Sequence, residues 1–111
     1  MKNIIIIILL FSLNSSAQEL FSVTATVEDT HGAPLEFASV SLEHSHTKTL
    51  IGTITDQEGK FDLQVAERGD YTLYVSFIVY KNYTNEISLS ASMNLGAITL
   101  NPDANTMDEV V

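Results

Sequence analysis

Tyr71-Thr72-Leu73-Tyr74-Val75-Ser76-Phe77-Ile78-Val79-Tyr80 is the stretch whose reading decides the fold class. Side chains alternate sides along an extended chain, so Tyr71, Leu73, Val75, Phe77 and Val79 share one face and Thr72, Tyr74, Ser76, Ile78 and Tyr80 the other. β-Branched and aromatic residues suit a pleated surface. Both faces carry bulk, so the spacing predicts a central strand over residues 71–80.

Outward from this stretch the period of two recurs, while a helical period hardly appears. Phe21, Val23, Ala25 and Val27 alternate with Ser22, Thr24, Thr26 and Glu28. This predicts a half-buried strand ending at Asp29-Thr30-His31-Gly32. Residues 35–42 read as a second strand, with Ala38, Val40 and Leu42 facing one way. Pro34 sits just ahead, where its missing N–H does no harm. Residues 50–54, 61–65, 86–89 and 96–100 complete a set of seven. Asp56-Gln57-Glu58-Gly59 reads as a hairpin loop, in which Asp56 opens a type I turn and Gly59 takes the left-handed position. Glu67-Arg68-Gly69-Asp70 reads as the hairpin turn before the central strand, with Gly69 at positive φ. Seven short strands with turn signals between them predict an all-β, two-sheet sandwich. The parities place Val23, Val27, Val40, Leu42, Ile54, Phe61, Leu63, Leu73, Val75, Phe77, Ile87, Leu89, Ile98 and Leu100 in its core.

The first residues belong to a different pattern. A charged start (Met1-Lys2-Asn3), an apolar run over residues 4–11 and small residues at Ser15 and Ala17 form the order of a cleaved secretory signal peptide. The run is shorter than the roughly 20 residues that span a bilayer. Residues 1–17 are therefore expected to be removed, and the mature domain, residues 18–101, is not expected to insert into a membrane. Residues 102–111 are an acidic linker. The chain has no Cys, so packing alone must stabilise it. Its formal net charge is −9, with five Lys and Arg in total and no basic cluster. Nucleic-acid binding, which needs cations against phosphate, is excluded on that ground.

The chemistry-bearing residues are sparse. His44 and His46 would share one face of a strand, a metal geometry, but no third ligand is spaced nearby and a solvated loop explains them. Asp56, Glu58 and Asp62 flank a tight turn and lack the D-x-D-x-D-G order of a calcium loop. Arg68-Gly69-Asp70 spells an adhesion tripeptide, and turn chemistry accounts for it. No nucleophile, base and orienting group recur at a usable spacing, and there is no phosphate loop. Neither catalysis nor a cofactor is expected.

The order of motifs carries more than any one of them. Gly32-Ala33-Pro34-Leu35-Glu36-Phe37-Ala38-Ser39-Val40 is followed by Gly52-Thr53-Ile54-Thr55-Asp56-Gln57-Glu58-Gly59-Lys60-Phe61, then by Gly69-Asp70-Tyr71-Thr72-Leu73 and Ser76-Phe77-Ile78-Val79-Tyr80. This succession resembles the carboxypeptidase-regulatory-like domain, a transthyretin-like (Ig-like) seven-stranded β-sandwich. It is most similar to the version at the N-terminus of TonB-dependent outer-membrane β-barrel receptors of Bacteroidetes. The resemblance implies a non-catalytic periplasmic accessory domain, a spacer or docking module beside a barrel and plug. It also implies that the chain is a fragment or truncated form of such a receptor. Met107-Asp108-Glu109-Val110-Val111 resembles the segment leading into the plug, and could pair as an added strand with a partner's sheet, the TonB-type energising protein being the implied candidate. Where the family has Gly, this chain has Val79. The other readings are a free secreted module that binds carbohydrate or protein, with Tyr74, Tyr80 and Tyr83 as stacking residues, and a transthyretin-like hydrolase. The hydrolases carry His and Arg in a shared channel and a C-terminal Tyr-Arg-Gly-Ser. Here the C-terminus is Asp108-Glu109-Val110-Val111, and the single Arg falls in a turn.

Overall fold

The computed structural model describes residues 20–103. The expected signal peptide and the segment Met107-Asp108-Glu109-Val110-Val111 lie outside the described residues. Seven strands run in the order β1 (Phe21–Glu28), β2 (Ser39–His44), β3 (Leu50–Ile54), β4 (Lys60–Val65), β5 (Gly69–Ser76), β6 (Tyr83–Leu89) and β7 (Met93–Thr99). They form a three-stranded sheet, β4-β1-β7, and a four-stranded sheet, β3-β2-β5-β6. All pairings are antiparallel except that of β1 with β7, which is parallel. The expected all-β sandwich is thus present, and β5 is internal to its sheet, as its two bulky faces require.

The core is what alternation predicts for the inward faces. Phe21, Val23, Ala25 and Val27 of β1 are all buried, while the residues between them are half-exposed. Facing them are Val40 and Leu42 of β2 and Tyr71, Leu73 and Val75 of β5. Fully burying a side chain such as Leu42 or Leu73 contributes roughly 1.5–3 kcal/mol. Phe61, Leu63, Ile87, Leu89, Ile98 and Leu100 are buried as expected.

Several expectations are corrected. Ile54 is 55% exposed, because it pairs with Ser39 on the outer face of the four-stranded sheet. Phe77 is only half-buried; it lies past the end of β5 and packs on the core from its margin. The second strand begins at Ser39 rather than at residue 35. The chain ahead of it folds into a turn with Phe37 at φ 66°, and Leu35 N–H donates to the Val27 carbonyl. The central strand stops at Ser76, where Ile78 and Val79 turn and Tyr80 N–H donates back to Phe77. Neither expected hairpin exists as such. β3 and β4 lie in different sheets, as do β4 and β5, so both connections carry the chain from one layer to the other. Strand β4 pairs with β1 instead, in a register that sets Ala25 opposite Phe61.

Candidate functional site

Thr55 shows how a buried polar residue shapes the surface at one end. It is 1% exposed. Its hydroxyl donates to the Leu35 carbonyl and accepts from Ala38 N–H at 2.9 Å. Its own N–H and carbonyl bond Ala38 and Phe37. This one residue therefore satisfies the irregular turn before β2 and pushes Phe37 outward, where it is 65% exposed. Phe37, Ser39, Ser76, Phe77 and Ile78 line a shallow depression of about 390 Å³ at that end.

The chain leaves the sandwich beside this depression. Lys81 N–H donates to Asn101 at 2.8 Å, Asp103 N–H donates to Val79 at 2.9 Å, and Tyr80 bridges Pro102. Residues 101–103 are thereby fastened antiparallel to residues 79–81. The bend they grip has Val79 at φ 62°. A β-branched residue there is strained, so the conformation expected of the family's Gly persists without it.

At the opposite end, His44 organises the loop after β2. It is not the solvated residue expected, being only 7% exposed. Its Nδ1 accepts from His46 N–H and Thr47 N–H at 3.1 and 3.2 Å, which leaves the proton on Nε2, 3.4 Å from the Arg68 carbonyl. The ring meets Tyr71 edge-on at 4.8 Å between centroids. His46 is exposed, with its ring 6.1 Å away. No group of three metal-ligating residues occurs among the described residues. Close by, an apolar cleft of about 210 Å³ opens between the sheets, lined by Ile51, Val65 and Tyr71 among others. The Tyr71 hydroxyl donates to the Glu67 carbonyl, and burial first, then the Glu67 charge, raises its pKa.

The remaining sequence candidates serve structural ends. Asp56 Oδ1 accepts from Glu58 N–H and Lys60 N–H, both at 2.9 Å, and Gly59 has φ 76°. The turn is therefore built as expected, although it joins two sheets. Asp62 lines a shallow groove with Asp56, Lys60, Thr24, Thr26 and Asn94. Glu58 is exposed at the turn. Arg68 lies over the Phe21 ring at 5.2 Å and bonds Ser90, while Asp70 accepts from Ser88. Gly69 and Asp70 already belong to β5, and Gly69 has φ 138°, so the tripeptide is not a projecting loop. Tyr74 faces outward and donates to Glu43, which is the main cause of its raised pKa. Tyr83 and Tyr80 pack on the core. The three tyrosines do not form a common platform.

Sequence reasoning missed Thr55 and His44 as organisers, since a polar residue gives no periodic signal when it is buried. None of the curated proteins matches the chain. Among solved structures it is similar to 3-chlorocatechol 1,2-dioxygenase from Rhodococcus opacus, with 10% identity, TM-score 0.60, and 80% of this chain and 62% of that one covered. It is also similar to a chain of the type II cohesin–X-dockerin complex from Acetivibrio cellulolyticus, with 20% identity, TM-score 0.55 and coverage of 72% and 56%. A streptococcal ancillary pilin gives 11%, 0.60, 79% and 34%. The chain thus spans less than two thirds of each, and at such identities the likeness is one of fold alone. A family model matches directly over residues 23–111. The chain belongs to the family of CarboxypepD_reg-like domains.

Proposed function

We propose that this chain is a non-catalytic accessory domain of a TonB-dependent outer-membrane receptor, exported to the periplasm, where it spaces and presents the segment that follows it to a protein partner. The observation that carries the reading is the fastened exit. Residues 101–103 are bonded to residues 79–81, so the following segment starts from a defined point on the rigid sandwich. Met107 lies four residues past Asp103 and is within roughly 14 Å of it at full extension. Met107-Asp108-Glu109-Val110-Val111 would bind by adding a strand to a partner's sheet edge. Family membership supports the accessory role, and among the described residues the Asp, His and Ser side chains lie in turns and sheet faces that bring no nucleophile and base together.

The test is a titration of a peptide covering residues 101–111 against the periplasmic domain of the energising protein, followed by NMR. Chemical-shift changes along one sheet edge of that domain are the expected result. No change would remove the docking role.

A further inference from the structure

We propose that the segment following Asp103 folds back onto its own domain, with Met107 seated in the depression lined by Phe37, Ser39, Ser76, Phe77 and Ile78. The surface at this end is unusually apolar. Among the described residues, Phe37 is 65%, Ile78 78%, Val79 50% and Ile54 55% exposed. All four gather at one end of the four-stranded sheet. Ile54 pairs with Ser39, Ser39 pairs with Ser76, and Phe37, Ile78 and Val79 flank those strand ends. Single exposed apolar residues need no explanation, whereas a contiguous group marks an interaction surface. The five lining residues carry no charge. The surface is also preformed, because the Thr55 hydrogen bonds that hold the turn before β2 fix Phe37 in its outward position.

Three observations make the chain's own continuation the occupant. The first is the path of the exit. Lys81 bonds Asn101, Tyr80 bridges Pro102, and Asp103 N–H bonds the Val79 carbonyl. This pairing is antiparallel and residue for residue, so the chain passes Asp103 heading away from Lys81 and toward Ile78, on the rim of the depression. Met107 follows four residues on, within roughly 14 Å at full extension. The second is composition. Met107, Val110 and Val111 are apolar and flank Asp108 and Glu109. Met is unbranched and adapts to an irregular floor, and its sulfur is favourable against rings such as those of Phe37 and Phe77. The third is the extent of the family match, which runs to residue 111 although β7 ends at Thr99. The pattern that defines the domain therefore includes this segment.

Tethering favours this segment over a free ligand. A short flexible link holds a second site at an effective concentration on the order of millimolar. A contact as small as one Met side chain on a shallow apolar floor then forms within the chain, where a free peptide of the same sequence binds only weakly. Asp108 and Glu109 stay in solvent, so no carboxylate is carried into the uncharged depression. The contact needs no partner and does not rest on the receptor reading. Where that reading holds, the partner's sheet edge and the depression compete for the same segment.

The chain has no Cys, so Asp108→Cys gives a unique site for a nitroxide spin label. Paramagnetic broadening of the amide signals of the purified chain is then read by NMR, with no partner present. The expected result is broadening strongest at Phe37, Ser39 and Ile78, and weaker at Glu28 and Lys81, which bond Leu100 and Asn101 on the way to the exit. Adding Met107→Ser, or separately Ile78→Asp, is expected to abolish that preference. The melting temperature should hold in both, since Met107 lies beyond the last strand and Ile78 is 78% exposed. Met107→Leu should retain the preference. Equal broadening on all sides of the exit overturns the proposal, as does a preference that survives both changes. Broadening that passes from spin-labelled copies to isotope-labelled copies without the nitroxide would also overturn it, by making a second copy the occupant.

Discussion

The His44 imidazole fills the space that a side chain at position 69 would need: a Cβ built on Gly69 would lie 2.7 Å from His44 Nε2. The glycine and the histidine are thus a matched pair joining the loop after β2 to the start of β5. Gly69→Ala is expected to destabilise the domain by on the order of 1–3 kcal/mol, from the overlap and from a backbone at φ 138°. His44→Ala is expected to cost a similar amount, because it leaves two loop N–H groups without their acceptor. The double variant should cost less than the sum, since removing the ring makes room for the methyl group. Strict additivity in denaturant melts would mean that the two sites are independent.

Gly59 and Gly32 separate backbone strain from steric overlap. Both have positive φ, 76° and 81°. A Cβ at Gly59 would overlap the Val27 carbonyl oxygen, which is backbone and cannot swing aside, whereas one at Gly32 would meet open space. Gly32→Ala is expected to cost about 1 kcal/mol. Gly59→Ala should cost about 2–4 kcal/mol, as it adds overpacking to the same strain. Equal losses in the two variants would show that β1 yields at Val27.

Thr55→Val keeps the shape and removes the hydroxyl. Ala38 N–H and the Leu35 carbonyl then lose a buried partner, for an expected loss of about 1–3 kcal/mol. Thr55→Ser should retain most of the stability. The exposed turn at Phe37 would loosen in the valine variant, which faster amide exchange at Ala38 would report.

Asp29 gives the pH dependence a sign. Its carboxylate accepts from Ala33 and His31 N–H groups, and these bonds, Ala33 first, hold its pKa below the usual carboxylate value. The folded state therefore binds this proton less readily than the unfolded chain does. The stabilisation is complete above the unfolded-state pKa and is lost as pH falls through the folded-state value. Wild type is expected to be more stable than Asp29→Ala near neutrality, with the gap narrowing on acidification. A gap that stayed constant down to acid unfolding would remove this role.

The parts legible in the sequence are those in which one face is apolar and the other is not. β1 and β4 alternate strictly, so their inward residues could be named from spacing alone. The turn at Asp56 and Gly59 was legible because its chemistry is local. What it connects was not, since hairpins and sheet-to-sheet links use the same turn residues, and only the pairing of β4 with β1 decides between them. Ile54 was misplaced for a related reason. Residues 50, 52 and 54 share a parity, but so do 51 and 53, and a strand with Leu, two Ile and one Gly does not declare its inner face. Thr55 was not visible as an organiser because it acts through backbone groups of a distant segment, a relation that spacing does not encode, and His44 was not because its burial against Tyr71 and Arg68 is equally non-local.

The parallel pairing of β1 with β7 has a mechanical consequence. Phe21 begins β1 at one end of the sandwich, and Thr99, opposite Glu28, finishes β7 at the other. Tension applied between Phe21 and Thr99 would run along this ladder, so its hydrogen bonds would be strained together in shear rather than peeled apart in turn. From Phe21 to Glu28 the strand rises over seven steps, which separates the two points by roughly 23 Å at about 3.3 Å per residue. Extension between those two points would therefore require the bonds of the ladder to break together.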